Sequence, residues 1–138
     1  MTWMDDLGIV TVMMAQTPNY SQWRVDEIAG YIVPPMVLGY YHFFNKGTDC
    51  PVFVSFGFLS EIVAERYAFA SGAKKRLSPK DLVSGDQPWV LDFIAPNGGI
   101  KSAIRKLHIM YPGVHARHIR RKDGIVRGRL GRSLSNVA

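Results

Sequence analysis

The sequence predicts an α+β fold, a mostly antiparallel central sheet flanked by helices. Three observations predict it. Helix-period and strand-period segments interleave along the chain without strict βαβ alternation. Two pairs of apolar segments bracket short turn-forming stretches, as in hairpins. One apolar run, Trp89-Val90-Leu91-Asp92-Phe93-Ile94-Ala95, lies between turn signals and is followed at once by a basic amphipathic helix.

Taken in order, Trp3, Leu7, Val10 and Met14 are spaced to share one face of a first helix, which Thr17-Pro18 ends. Ser21 is positioned to cap a second helix carrying Trp23, Ile28, Tyr31 and Ile32, with Pro34-Pro35 closing it. Met36–Phe44 and Val52–Leu59 flank Asn45-Lys46-Gly47-Thr48-Asp49 and read as a hairpin. Its aromatics, Tyr40, Tyr41, Phe43, Phe44, Phe53, Phe56 and Phe58, read as sheet core. Ser60 caps a third helix with Leu59, Val63, Tyr67 and Ala70 on a common face and Gly72 near its end. Ala73–Pro79 reads as a basic, exposed connector.

The strand Trp89–Ala95 sits between Ser84-Gly85-Asp86 and Pro96-Asn97-Gly98-Gly99. In the helix after it, Ile100, Ala103, Ile104, Leu107 and Tyr111 form an apolar face, Lys101, Arg105, Lys106 and His108 an outer one, and Pro112-Gly113 a stop. Val114–Arg121 and Ile125–Leu130 then read as a hairpin around Lys122-Asp123-Gly124. Residues 1–132 form one domain, and Ser133–Ala138 a loose tail.

Composition sets limits on function without naming one. With 47% hydrophobic and 20% charged residues over 138 positions, the chain can bury a core. No apolar run reaches the ~18 residues of a membrane span. The start, Met1-Thr2-Trp3-Met4-Asp5-Asp6, lacks the basic region of a signal peptide, and the single cysteine, Cys50, cannot form an internal disulfide. A cytoplasmic protein is expected. Charge is unevenly spread: residues 1–100 carry net −3 and residues 101–138 net +9. The basic third calls for an acidic partner, whether a carrier protein, nucleic acid or coenzyme A phosphates.

The stretch Ser84-Gly85-Asp86-Gln87-Pro88-Trp89-Val90-Leu91-Asp92-Phe93-Ile94-Ala95-Pro96-Asn97-Gly98-Gly99, followed by a basic helix and a proline, resembles the signature of the toxin-activating lysine acyltransferases, the HlyC-like family. The similarity runs from about Leu7 to Ile119. It implies an acyltransferase-like domain related to the GNAT fold, in which the turn after the central strand meets the donor's phosphopantetheine arm. It also implies transfer of a fatty acyl group from acyl carrier protein, or an acyl-CoA, to internal lysines of a pore-forming RTX toxin. The donor would be a substrate, with no permanently bound cofactor. Partners implied are acyl carrier protein and a lysine-bearing acceptor protein; a homodimer is a further option that the residues leave open.

Within that resemblance the candidate catalytic residues are Asp92, Tyr20 and His118, and the candidate donor-binding residues Asn97, Gly98, Gly99, Lys101 and Arg105. Asp92 is a carboxylate among apolar neighbours, which costs several kcal/mol unless it is paired or hydrogen-bonded. It is read either as holding a turn or an arginine, or as orienting or deprotonating a catalytic group. The family places a basic histidine in a Ser-Pro-x-His-x-x-Trp setting. This chain reads Thr17-Pro18-Asn19-Tyr20-Ser21-Gln22-Trp23, with Tyr20 at the histidine position. A tyrosine titrating at about pH 10 is a poor base near neutrality, yet it can donate a proton to a departing thiolate. The histidines stand elsewhere, at 42, 108, 115 and 118, and their spacing suggests no metal site. His118 is the replacement base to test, on a strand expected beside Asp92. The hairpin aromatics have a second reading here, as the lining of an acyl-chain channel.

Two readings compete with an active acyltransferase. One is a catalytically inactive relative acting as a protein-binding or assembly component, to which Tyr20 points. The other is a nucleic-acid-binding module built on the arginine ribbon Arg117, Arg120, Arg121, Arg127, Arg129 and Arg132.

Overall fold

A computed structural model describes residues 2–70, 75–120 and 125–127. Five strands make one sheet in the order β1 (Tyr41–Phe44), β2 (Val52–Leu59), β3 (Gln87–Ile94), β4 (Arg117–Arg120) and β5 (Ile125–Arg127). Three neighbouring pairs are antiparallel and β3/β4 alone is parallel. The helix α6 (Ile100–Met110) provides the crossover that a parallel pair requires. An α+β chain with a mostly antiparallel, helix-flanked sheet is therefore what the sequence builds.

Two layers cover the sheet. On one face lie α1 (Trp3–Ala15), the helical run α2 (Val25–Glu27), a π turn (Ile28–Ile32) and α3 (Val33–Val37), then α4 (Glu61–Phe69) and α5 (Pro79–Leu82). Val10, Met13, Met14, Ile32 and Met36 pack there against Phe53 and Ile94. Leu59, Tyr67, Leu77, Leu82, Trp89 and Leu91 continue that layer. On the opposite face α6 covers Phe44, Val52, Val54 and Val90 through Ala103 and Leu107. Gly57 lets α5 approach the sheet closely, since a Cβ there would meet Leu82 Cδ2 at 2.6 Å. Gly85 is tighter still: its amide donates to Phe58 O at 3.1 Å, and a Cβ would strike the backbone of Leu59 and Ser60.

Several expected boundaries move. The helical run starts at Val25 rather than at a Ser21 cap, with Glu27 returning to the Arg24 amide. Pro34-Pro35 does not close it. The π turn sends the Val33 amide back to Ile28 O, and the wider turn admits two residues that have no N–H to give, so helix continues to Val37. Met36 and Val37 are thus helical, and the first hairpin strand begins only at Tyr41. The connector 73–79 is not simply exposed: Leu77 is buried, and Ser78 caps the short α5 in a reciprocal pair with Asp81. Residues 73 and 74, Gly72, the turn 122–124, residues 128–130 and the tail 133–138 lie outside the described residues. The last hairpin is shorter than expected at its start, because His115 and Ala116 precede β4.

One polar cluster ties α1 to the sheet edge. Lys46 Nζ donates to Asp6 Oδ1 at 2.7 Å, and the Tyr41 hydroxyl donates to Asp6 Oδ2 at 2.6 Å. Burial works to raise the Asp6 pKa, but the Lys46 ammonium and the Tyr41 hydroxyl outweigh it and leave it below the ordinary carboxylate value. Burial, reinforced by Asp6, pushes Tyr41 up to about 12. Asp81 is likewise lowered: burial raises it, and bonds from Ser78 and Arg66 more than compensate. A carboxyl depressed in the folded state binds its proton later than the unfolded chain does. Its stabilisation is therefore present above the unfolded value of about 3.9 and is lost as pH falls through the lower folded value. Denaturant unfolding followed from pH 7 downward should show stability falling from about pH 4. Asp6→Asn should cost about 1–3 kcal/mol at neutral pH and flatten that acid limb.

Candidate active site

Asp92 lies in the middle of β3 and is 3% exposed. Its orientation is set by an irregularity in the sheet. Ser55 pairs with Asp92 but the next residue, Phe56, pairs with Val90, which leaves Leu91 as the extra residue of a β-bulge. Strand alternation alone would put Asp92 on the same face as Val90, under α6. The bulge resets the alternation, so that Leu91 and Asp92 both face the N-terminal helices. There the Tyr20 hydroxyl donates to Asp92 Oδ1 at 3.0 Å.

Tyr20 is delivered by the turn that ends α1. The Thr17 hydroxyl returns to Met13 O at 2.8 Å, and the amides of Tyr20 and Ser21 both donate to Thr17 O at 2.9 Å. The ring is buried among Val10, Met13, Met14, Ile32, Phe53 and Ile94. It leans on Trp23 at 4.9 Å between centroids, and Trp23 leans on Tyr31 at 5.7 Å. The fold thus brings Tyr20 and Asp92, 72 positions apart and singled out by the family resemblance, into contact.

The site contains groups that the sequence did not single out. Ser55, fully buried and opposite Asp92 in the ladder, has a hydroxyl with no hydrogen-bond partner among the described residues. Its only signal was being the one hydroxyl in the apolar strand Val52–Leu59. A small cavity of about 10 Å³ reaches Asp92 between Gly30, Tyr31, Pro35, Tyr67, Leu77 and Leu91. That is room for about one water molecule. Tyr67, expected only as a helix-face residue, lines it and packs edge-on against Trp89.

His118 is on the strand next to β3, in register with Val90. Ladder partners share a face, so this register sets His118 on the α6 side, away from the side to which the bulge turns Asp92. His42 bonds the Tyr111 hydroxyl at 2.6 Å, and burial lowers its pKa. His108 lines an apolar cavity of about 130 Å³ between α6 and the sheet, together with Phe56, Phe58, Leu107 and Tyr111. His115 is exposed ahead of β4. Of the hairpin aromatics, Tyr41, Phe43 and Phe53 pack toward α1, and Phe44 is core under α6. Among the described residues no group of His, Cys, Asp and Glu is arranged to hold a metal ion.

The turn after β3 is tied to the β1–β2 loop. The Asn97 side-chain amide donates to Asp49 O at 2.6 Å, and the Cys50 thiol lies 3.4 Å from the carbonyls of Asn97 and Gly98. Gly98 and Gly99 both have positive φ, and a Cβ on Gly99 would crowd Cys50 and Val52. No side-chain hydrogen bond caps the start of α6 at Gly99, and Lys101 and Arg105 are exposed on the helix. Among the described residues the β3/β4 ladder pairs only Trp89 with Arg117 and Val90 with His118, although both strands continue past that point. The two strands therefore part on the way from Val90 to this turn.

The sequence profile of the RTX toxin acyltransferase (HlyC) family matches residues 2–128. The chain belongs to that family. A search of curated proteins finds no match. At the level of the family, the RTX toxin acyltransferases are toxin-activating enzymes that act on a toxin protein. Among the described residues no helix is long and apolar enough to cross a membrane. Of the arginine ribbon, Arg117 is exposed at the start of β4, Arg120 ends β4, Arg127 ends β5, and Arg121, Arg129 and Arg132 lie outside the described residues.

If the Tyr20 hydroxyl is a working partner of Asp92, removing it should be felt before any chemistry is measured. Tyr20→Phe should lower unfolding free energy by about 1–3 kcal/mol, because it strips a bond from a buried carboxylate. Guanidinium unfolding of the two proteins at neutral pH measures the difference.

Proposed function

We propose that this protein transfers a fatty acyl group from the thioester of acyl carrier protein, or of an acyl-CoA, to a lysine side chain of an RTX-type toxin. The observation that carries this reading is the buried contact between the Tyr20 hydroxyl and Asp92, in a chain matched to the family from residue 2 to residue 128. The donor is a substrate and leaves after each turnover.

The reaction needs a neutral amine, stabilisation of a tetrahedral oxyanion and a proton for the leaving thiolate. In our reading the lysine nitrogen attacks the thioester carbonyl, forming the C–N bond, and Asp92 receives the proton that the nitrogen sheds. The C–S bond then breaks, and the Tyr20 hydroxyl protonates the thiolate. Asp92 returns its proton to Tyr20, so the pair ends as it began and the products are an amide and a free thiol. In our reading the uncapped amides at the start of α6, next to Gly98–Gly99, together with Lys101 and Arg105, receive the phosphate of the donor's arm. The separation of β3 and β4 gives that arm a way past the sheet toward Asp92.

A second reading is a family member that keeps the fold for protein binding alone. Tyr20 itself favours it, since a phenol bound into the core at the histidine position is a weak base. Incubation with radiolabelled long-chain acyl carrier protein and a lysine-bearing RTX toxin fragment separates the two. The transfer reading expects label on lysine, a loss of about 100-fold or more in Asp92→Asn, and faster transfer in Tyr20→His. No label above a protein-free control, and no gain from Tyr20→His, would leave only the binding role.

A further inference from the structure

An open cleft of about 460 Å³ lies on the N-terminal-helix side of the sheet, lined by Gly30, Pro34, Arg66, Arg76, Leu77 and Asp81 among others. It shares Gly30 and Leu77 with the small cavity that reaches Asp92, so those two residues form the wall between cleft and carboxylate. Arg76 closes that wall. Its guanidinium lies against Gly30, where a Cβ would come within 2.9 Å of Cδ and Nε, and sits 5.6 Å from the Tyr31 ring centroid.

The two arginines are unequally compensated. Arg66 holds Asp81 at 2.6 Å. Arg76 reaches Asp26 only at 3.4 Å, and Asp26 is held more closely by Arg24 at 2.8 Å. Among the described residues the Nε groups of both Arg66 and Arg76, which are buried, have no hydrogen-bond partner. A planar guanidinium in this state is suited to a carboxylate, which takes it fork to fork. The cleft is also mixed in sign, because Asp81 faces it beside the arginines. That favours a ligand carrying both charges over one that carries negative charge alone.

We infer that this cleft receives the acceptor, and that it selects a lysine flanked by a carboxylate side chain, which engages Arg76. The inference rests on the transfer reading for the direction of each substrate: with the donor's phosphate at the α6 turn, this opening on the other face is left for the acceptor. A carboxylate drawing Arg76 off Gly30 would also open the wall toward Asp92. Specificity and access then depend on one side chain.

The test is a binding measurement with no donor present, so it reads out whether or not the protein turns over. A fluorescein-labelled Gly/Ser peptide with one lysine between two glutamates is titrated by anisotropy against the same peptide with glutamines. The unaltered protein should bind the glutamate peptide roughly tenfold more tightly. Arg76→Gln should erase the preference, and Arg76→Lys should restore part of it. Equal binding of the two peptides by the unaltered protein, or binding of neither, overturns the inference without reference to any variant. So does a preference that survives Arg76→Gln. Displacement of the peptide by 4′-phosphopantetheine, with Arg76→Gln abolishing binding of that compound, would give the arginines to the donor and also overturn it. Loss of acyl transfer with the peptide preference intact would instead count against the transfer reading alone.

Discussion

A carboxylate in the middle of a central strand is affordable only if donors meet it, and here the direction in which it points decides which donors those are. One extra residue, Leu91, turns Asp92 from the α6 layer to the N-terminal layer, where Tyr20 waits at the end of α1. Without that bulge the carboxylate would face Val54 and Leu107, with no hydroxyl among them. The bulge, the turn at Thr17 and the packing of α1 on Phe53 and Ile94 are thus parts of one arrangement. Each is ordinary by itself. Together they put a phenol and a carboxylate in contact within a nearly dry interior.

The two faces of the sheet then divide the chemistry we propose. The α6 face offers backbone amides without a side-chain cap and exposed cations at a glycine turn. The opposite face offers the π turn, whose Gly30 leaves just enough space for Arg76, and the narrow cavity to Asp92. A π turn is costly relative to α-helix and is found mainly where function uses it. In this chain it performs two tasks, admitting Pro34-Pro35 into a helix and bringing Gly30 and Tyr31 to the cavity wall.

Much of this was legible in the residues. The apolar strand with its embedded Asp92, the glycine turn, the basic helix and the Ser60 cap all follow from local rules that tertiary structure did not override. The pairing of Tyr20 with Asp92 came from the family resemblance, because no local pattern links positions so distant. What local rules missed was non-local. Pro34-Pro35 reads as a stop unless the turn before it is known to widen. That Asp92 and His118 face opposite sides depends on a bulge that leaves no mark in a strand apolar on both faces around Asp92. Ser55 and Tyr67 carry no signal until the sheet and helices bring them to the same carboxylate, and Arg76 none until the fold lays it against Gly30.

The central claim is that Tyr20 and Asp92 act as a unit, and a double-mutant cycle on the rate of acyl transfer tests it most directly. Single-turnover rates are compared for the unaltered protein, Tyr20→Phe, Asp92→Asn and the double variant, with folding checked by circular dichroism. Residues that work together lose function together, so the double variant should be no slower than the worse single variant. Losses that multiply would mean that the two side chains contribute separately and that their contact only maintains the fold.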